Sequence, residues 1–165
     1  MMIEADRIKI QAISLQDIAR FSEYRDKEEV AEYQSWDEYP LNKAINRIEY
    51  WQKHPFHGQI GNYQFGLYLK ENNRLIGDIF IEIDGHTTFT LGYTLDSVYW
   101  SKGYASEALK SVFKAMHETY SFKICLCHVY EDNIKSIRLL ERNGFDKIHK
   151  SWFYQDVLYR KMLNK

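Results

Sequence analysis

The sequence contains little cysteine. Cys125 and Cys127 are the two that occur in 165 residues, and one residue separates them in a run typical of a strand. Their side chains would share one face, which argues against a disulfide between them, and a Cys-x-Cys pair without a second ligand pair is a poor metal site. We interpret both as buried apolar thiols of a protein kept in a reducing compartment.

Several other features are missing as well. The chain has no secretory signal and no long apolar run, so we expect a soluble, cytoplasmic protein. The net charge of −1 lacks the basic excess of a dedicated nucleic-acid binder. The six histidines show no metal-ligand spacing, and we therefore expect no catalytic metal. With 45% hydrophobic residues and no linker or repeat, residues 1–165 are predicted to form a single domain.

Charge is unevenly distributed along the chain. Residues 1–100 hold 10 Lys/Arg and 16 Asp/Glu, whereas residues 101–165 hold 12 and 7. This difference weakly favours a polyanionic ligand near the C-terminal half and a cationic amine near the N-terminal half.

The most informative stretch present is a strand that runs into a helix. Apolar residues alternate from Phe89 to Leu95, as in a strand with one buried face, and recur from Ala105 with the spacing of an amphipathic helix. Between them lies Gly103, where a bare backbone can turn sharply. The free amides of such a helix start suit a phosphate or pyrophosphate. The spacing of a P-loop is absent, and a plain strand, loop and helix is the alternative interpretation.

The same periodicities predict the remaining elements. Strands are predicted at residues 7–13, 63–70, 74–84, 87–95, 123–130, 145–152 and 157–163, and helices at 15–25, 28–33, 41–51, 105–116 and 133–143. This order predicts a mixed α/β (α+β) fold, with a central, mostly antiparallel sheet flanked by helices.

Two motifs resemble those of a known family. The segment from Trp100 to Ala105 resembles the Gln/Arg-x-x-Gly-x-Gly/Ala signature of the GNAT N-acetyltransferases, and its surroundings are similar to the RimJ/RimL branch. Trp100 departs from the leading Gln or Arg, which matters little if that position contributes mainly backbone. Downstream, Asn133 to Phe145 resembles the family's Asn-x-x-Ala/Ser…Glu-x-x-Gly-Phe helix.

The resemblance implies the GNAT acyl-CoA N-acyltransferase fold, with acetyl-CoA as cosubstrate and a primary amine as acceptor. The amine would attack the thioester directly in a ternary complex, where proximity supplies much of the catalysis. The family also carries a strand bulge, expected here around Thr94 to Asp96. The implied cofactor-binding residues are Thr94, Leu95, Trp100, Ser101, Lys102, Gly103, Tyr104, Ala105, Ser106, Asn133 and Ser136. Among them, the backbone N–H groups of Thr94 and Leu95 would stabilise the oxyanion.

The catalytic residues are less clearly marked. Many GNAT enzymes protonate the leaving thiolate with a tyrosine at the position that Leu140 occupies here. The RimJ/RimL branch points instead to a serine, here Ser136, which could hydrogen-bond the thiolate. Glu82 is the candidate general base, with a solvated strand carboxylate as the alternative. The absence of an obvious strong base favours either an α-amine as acceptor or a base that acts through water. The pKa of an α-amine, about 7.7 to 8.0, lies far below the value of about 10.4 for lysine.

The acceptor is predicted to bind near the N-terminal helices and the C-terminal hairpin. Trp36 and Tyr39, beside Asp37 and Glu38, could form an aromatic and acidic wall for a cationic amine, although ordinary packing would explain the same residues. The acceptor could be a protein N-terminus, such as that of a ribosomal protein, or a polyamine, an amino acid derivative or an antibiotic. A non-catalytic acyl-CoA binding or sensing module is the alternative from another class. The branch also makes a homodimer conceivable.

Overall fold

The computed structural model describes residues 1–150 and 156–163. Eight strands there form one sheet in the order β1-β2-β3-β4-β5-β6-β8-β7. The strands are β1 (Ile3–Glu4), β2 (Ile8–Gln11), β3 (Gly61–Leu69), β4 (Leu75–Ile83), β5 (Thr88–Leu95), β6 (Ile124–Tyr130), β7 (Asp146–Lys150) and β8 (Asp156–Met162). Neighbouring strands are antiparallel except β5 and β6, which are parallel.

Five α-helices accompany these strands in the described ranges. They are α1 (Ile18–Arg25), α2 (Glu28–Ala31), α3 (Leu41–Lys53), α4 (Tyr104–Glu118) and α5 (Ile134–Arg142). The mixed α/β fold class is therefore confirmed, and most predicted elements lie within a few residues of the observed ones. The short strand β1 and the 3₁₀ turns Leu15–Asp17 and Ser97–Tyr99 were not predicted. The last two residues of the strand predicted at 145–152, Ser151 and Trp152, lie outside the described residues.

The two faces of the sheet pack differently. On one face, Ile79, Ile81 and Phe89 are buried in the main core, which the apolar stripe of α4 covers. That stripe consists of Ala108, Leu109, Val112, Phe113 and Met116. No helix within residues 1–150 and 156–163 combines the length and apolar character needed to cross a membrane.

The opposite face of the sheet carries a smaller core beneath α1 and α3. Phe21 and Tyr24 of α1 and Ala44 and Ile48 of α3 are almost fully buried there, against Tyr68 of β3. This helix pair covers only part of the face. The remainder is a cleft above the middle strands, which is described below.

The prediction of a bulge around Thr94 to Asp96 is wrong. The register of β4 with β5 is continuous from Ile83↔Phe89 to Gly77↔Leu95, and the backbone N–H of Asp96 still donates to the Ile76 carbonyl at 2.9 Å. The register shift near this point lies instead between β3 and β4, at Leu67 and Tyr68.

Asp96 joins the end of β5 to the N-terminal helices. Its carboxylate is 1% exposed, accepts hydrogen bonds from the Arg20 guanidinium and from Lys27 Nζ at 2.6 Å, and also faces the Val98 N–H. Burial would raise the pKa of Asp96, but the bonds from Arg20 and Lys27 lower it overall. The carboxylate is thus held ionised between two cations.

We expect Asp96→Asn to lower the free energy of unfolding by about 3 kcal/mol at neutral pH, because it leaves Arg20 and Lys27 without their anion. Since the folded state lowers the pKa of Asp96, the carboxylate stabilises the protein above the unfolded-state pKa and loses this effect as pH falls through the folded-state pKa. The difference between wild type and variant should therefore be constant above about pH 5 and shrink below about pH 4. Urea unfolding across this pH range measures it.

Asp84→Asn is the matched control, because Asp84 is an exposed carboxylate at the end of the same sheet. Equal stability of the Asp96 and Asp84 variants at pH 7 would contradict the role given to Asp96.

Candidate functional site

The strands β5 and β6 separate part of the way along their length. They pair at only three positions, from Thr88↔Ile124 to Thr90↔Leu126, whereas β6 continues its pairing with β8 as far as Tyr130↔Asp156. The second half of β5 therefore has a partner strand on one side and a gap on the other. Backbone groups that face such a gap are available to a ligand.

The alternation along β5 determines which amides face this gap. The N–H of Asp96 points to β4, and successive residues of a strand point their N–H groups to opposite sides, so the N–H of Thr94 also faces β4. The N–H groups of Tyr93 and Leu95 face the gap. The prediction that Thr94 and Leu95 donate together is thereby corrected, because Thr94 is on the side already paired with β4.

The loop after β5 adopts the sharp corner that its sequence predicts. Ser101 has φ 60° and Gly103 has φ 85°, both in the left-handed region, and Gly103 is the N-cap of α4. Gly103 has no side chain to cap this helix, so the amides of Tyr104, Ala105 and Ser106 at its first turn lack a side-chain acceptor among the described residues. The corner offers the free amides and positive dipole end that fit a phosphate.

Three cations surround this corner. Lys102 Nζ lies 5.5 Å from the centre of the Tyr99 ring, and Lys135 Nζ lies 4.5 Å from that of Trp100. Arg7 was not identified from the sequence, yet its Nη1 donates to the Lys102 carbonyl at 3.0 Å. Almost a hundred residues separate Arg7 from Lys102, so only the packing of α4 against β1 and β2 reveals the contact.

Arg7 is held in place by more than one contact. Its Nε pairs with a carboxylate oxygen of Glu107 at 2.7 Å, and its guanidinium lies 4.4 Å from the Tyr104 ring centre. A Cβ at Gly103 would be 3.3 Å from Arg7 Nη2, so this nitrogen lies directly beside the corner. Arg7 therefore adds to the positive charge available to a phosphate.

Two predicted cofactor residues have side chains that are already engaged. Trp100 Nε1 donates to the Leu95 carbonyl at 2.7 Å, which ties the corner back to β5. The Ser106 hydroxyl donates to Asn143 Oδ1 at 2.9 Å. Ser106 can thus offer a phosphate its backbone N–H, while the Trp100 side chain has a structural contact that its signature position did not suggest.

Helix α5 begins beside the gap. Asn133 is its N-cap, and the Asn133 Oδ1 accepts the Ser136 N–H at 3.1 Å. Leu140 is 1% exposed and belongs to the main core, so it supplies apolar packing. The capping role predicted for Asn133 is therefore present.

Tyr93 is a second hydroxyl in this region that sequence reasoning missed. Its Oη is buried and has no hydrogen-bond partner among the described residues. Burial raises the pKa of Tyr93, and the neighbouring Ser136 hydroxyl opposes this shift. A Tyr on β5 gives no local signal of such a role, because its position in the strand alternation is equally that of a core residue.

On the opposite face of the sheet lies a cleft of about 480 Å³. We call it the acceptor cleft because the sequence predicts that the acceptor binds near Trp36 and Tyr39. It is lined by Arg25, Gln34, Ser35, Trp36, Tyr39, Lys43, Arg47, Tyr50, Trp51, Asn62, Gln64, Asp78, Phe80, Gly92, Tyr93 and Thr94. Trp36 and Tyr39 are both among these lining residues. Asp37, Glu38 and Glu82 do not line this cleft and are exposed.

The aromatic wall of the cleft is occupied by a cation of the chain itself. The Arg25 guanidinium lies 3.8 Å from the Trp36 ring centre and 4.5 Å from that of Tyr39. Trp36 Nε1 in turn donates to the Arg25 carbonyl at 2.9 Å. These rings therefore fix Arg25 and are not an open cage for the amine of a substrate.

Asp78 is the carboxylate of the cleft, in place of Glu82. It is 1% exposed and accepts hydrogen bonds from Arg25 Nη1 at 2.7 and 2.6 Å, and further ones from the Tyr24 hydroxyl and Gln64 Nε2. Its acceptor positions are consequently filled, which makes it a poor general base. No group of three His, Cys, Asp or Glu side chains in the described ranges is arranged to hold a metal ion.

The cleft reaches the edge of β5 that faces the gap. Gly92, Tyr93 and Thr94 line it, and these residues follow Thr90, where the pairing of β5 with β6 ends. A molecule in the cleft and another in the gap could therefore meet across a single strand.

Comparison with known proteins agrees with this geometry. The chain is 24% identical over 160 residues to an uncharacterized N-acetyltransferase of Bacillus subtilis, YoaA, an alignment that covers 94% of this chain and 89% of the relative. An acetyltransferase structure of the GNAT family from Bacillus anthracis superposes with a TM-score of 0.85 at 21% identity, covering 99% of both chains. RimL, an α-N-protein acetyltransferase of a ribosomal protein solved with coenzyme A, superposes with a TM-score of 0.81 at 13% identity, covering 98% of both.

The family described as the acetyltransferase (GNAT) domain matches residues 7–146, which include both the corner at Gly103 and the start of α5. The match therefore includes the residues of the acceptor cleft, of the gap and of the corner at Gly103. The protein belongs to the GNAT acetyltransferase family.

Proposed function

We propose that the protein transfers an acetyl group from acetyl-CoA to an α-amine while both substrates are bound. The observation that carries this proposal is the meeting of the acceptor cleft and the gap at Gly92 to Thr94. Each substrate has its own side of the sheet, so no covalent enzyme intermediate is needed to bring the two together.

The corner would hold the pyrophosphate of the cosubstrate. The amides of Ser101 to Ser106 and the charges of Lys102 and Arg7 lie there, and Lys135 flanks them. Asn133 would bind the pantetheine arm through its side-chain amide nitrogen, since its oxygen already caps α5. The bound cosubstrate supplies an activated acetyl thioester.

In the transfer, the amine nitrogen forms a bond to the acetyl carbon and the carbon–sulfur bond breaks. The N–H groups of Tyr93 and Leu95 face the gap and would stabilise the negative charge that develops on the acetyl oxygen. The thiolate that leaves takes up one proton, and the amine loses one. We assign the first proton to the Tyr93 hydroxyl as donor, with the neighbouring Ser136 hydroxyl placed to hydrogen-bond the thiolate.

No side chain is assigned to receive the proton of the amine. Asp78 is filled by its hydrogen bonds, and Glu82 is outside the cleft. Water would carry this proton away. Such a route suits an α-amine, of which a sizeable fraction is neutral near pH 7, better than a lysine side chain. An α-amine is also the acceptor named in the description of RimL, which has the same fold.

The cosubstrate site can be tested by thermal unfolding. We expect acetyl-CoA and CoA, at a hundred times their dissociation constants, to stabilise the protein by about 2.7 kcal/mol and raise Tm by about 5 to 10 °C. ATP and NAD at the same concentrations should leave Tm unchanged. The cosubstrate assignment fails if acetyl-CoA produces no shift.

Gly103→Ala should reduce the shift caused by acetyl-CoA. Its left-handed φ of 85° costs an alanine about 1 to 2 kcal/mol, so the corner amides would move. Gly85→Ala is the control, because a Cβ at Gly85 has nothing within 4 Å and its φ is not positive. Equal shifts in both variants would argue against binding at the corner.

Tyr93→Phe should lower kcat by about 10²-fold, since general acid catalysis is typically worth that much or more. Its Tm should change little, because the hydroxyl has no hydrogen-bond partner among the described residues. Ser136→Ala should lower kcat by a smaller factor. Thiol release from acetyl-CoA measures kcat, and Tyr63→Phe is the control, since the Tyr63 hydroxyl bonds the Gln59 carbonyl far from the gap. Unchanged turnover in Tyr93→Phe would remove Tyr93 from the mechanism.

A further inference from the structure

The acceptor cleft is cationic, although it lies in the more acidic half of the chain. Three of its lining residues carry positive charge, namely Arg25, Lys43 and Arg47, and Asp78 is its one carboxylate. The acidic residues of the neighbouring segment, Asp37 and Glu38, do not line it. The charge count along the sequence therefore predicted the wrong sign for this surface.

Asp78 does not neutralise the two outer cations. It pairs with Arg25 at 2.6 Å and takes further hydrogen bonds from Tyr24 and Gln64. Lys43 and Arg47 have no carboxylate within 4.0 Å in the described part of the chain. Lys43 Nζ is 3.5 Å from the Glu38 backbone carbonyl and 4.9 Å from the Tyr39 ring centre, while Arg47 lies 6.0 Å from that of Trp51.

The two cations are arranged as a pair. Lys43 and Arg47 are four residues apart on α3, so they lie one turn apart on the same face of the helix. Like charges at this spacing destabilise a helix slightly. An anion bound between them would remove that repulsion.

Arg25 also has an unused donor. It lines the cleft and is 6% exposed, yet its Nε is buried without a hydrogen-bond acceptor among the described residues. A buried donor of this kind is usually satisfied. Besides Lys43 and Arg47, the cleft therefore holds a third cation whose hydrogen bonds the described residues do not complete.

From these observations we propose that the acceptor is a small amine that also carries an anionic group, a carboxylate or a phosphate, which binds to Lys43 and Arg47. This inference rests on the proposed function and names the substrate class of the same site. The anionic group would lie at α3 and the amine at Gly92 to Thr94, where the cleft meets the gap. The volume of about 480 Å³ is that of a small-molecule site. A polyamine would instead meet like charges.

Matched acceptor pairs test the proposal. With the wild-type protein and acetyl-CoA, thiol release would be measured for the twenty common L-amino acids against their carboxamides, and for O-phosphoethanolamine against ethanolamine. Spermidine and a short peptide with a free N-terminus and an amidated C-terminus complete the panel. We expect at least one anionic acceptor to exceed its neutral partner by about tenfold or more in kcat/KM, and the arm that responds identifies the anion as carboxylate or phosphate.

Variants of α3 locate the contact. Arg47→Gln and Lys43→Gln should each raise KM for the anionic acceptor about tenfold with little change in kcat, while KM for acetyl-CoA stays constant. Arg47→Lys should restore part of the loss. Lys53→Gln is the control, because Lys53 is an exposed cation on the same helix that does not line the cleft.

The outcomes separate this inference from the proposed function. Equal or faster acetylation of the neutral partners, of spermidine or of the peptide would overturn the anionic acceptor and leave acetyl transfer intact. The same holds if Arg47→Gln behaves like Lys53→Gln. If acetyl-CoA neither raises Tm nor supports transfer to any amine, the proposed function itself fails.

Discussion

The separation of β5 from β6 leaves backbone groups in the middle of the sheet without a partner strand, which is unfavourable for folding. Backbone amides in a sheet interior normally have partners, and a strand that leaves its neighbour gives them up over several residues. The structure keeps the rest of β5 fully paired with β4, so that the loss is confined to one edge. Asp96, fixed by Arg20 and Lys27, then holds the end of this half-open strand against the N-terminal helices.

Successive side chains of β5 point to opposite faces of the sheet and therefore have different neighbours. Leu91 and Leu95 pack into the main core, while Gly92 and Thr94 line the cleft on the opposite face. Tyr93 lines the cleft, and its hydroxyl is buried near Ser136 of α5. A single strand thereby separates the cleft from the gap.

Much of the fold could be predicted from the sequence, because its strands and helices are marked by local periodicity. The corner at Gly103 is equally local, since a left-handed glycine at a helix start is a property of neighbouring residues. Arg7 and Asp78 could not be assigned in this way, because their partners lie between 14 and 100 residues away. The direction of the Thr94 N–H could not be predicted either. The side-chain pattern of a strand shows which residues lie on each face, but it does not show which edge has a neighbouring strand. The position of Glu82 escaped for a related reason: a shared face with Asp78 places a residue on the same side of the sheet but does not determine whether it lines the cleft.

The cationic lining of the cleft also changes the protonation of whatever amine enters it. An ammonium ion held near Arg25, Lys43 and Arg47 is disfavoured relative to the free amine, since like charges stabilise the uncharged form, and each tenfold change in this balance corresponds to about 1.4 kcal/mol. Binding would therefore favour loss of the proton from the amine. Several fixed positive charges can together have this effect at a site whose one carboxylate is already filled, while each of them contributes only part of it.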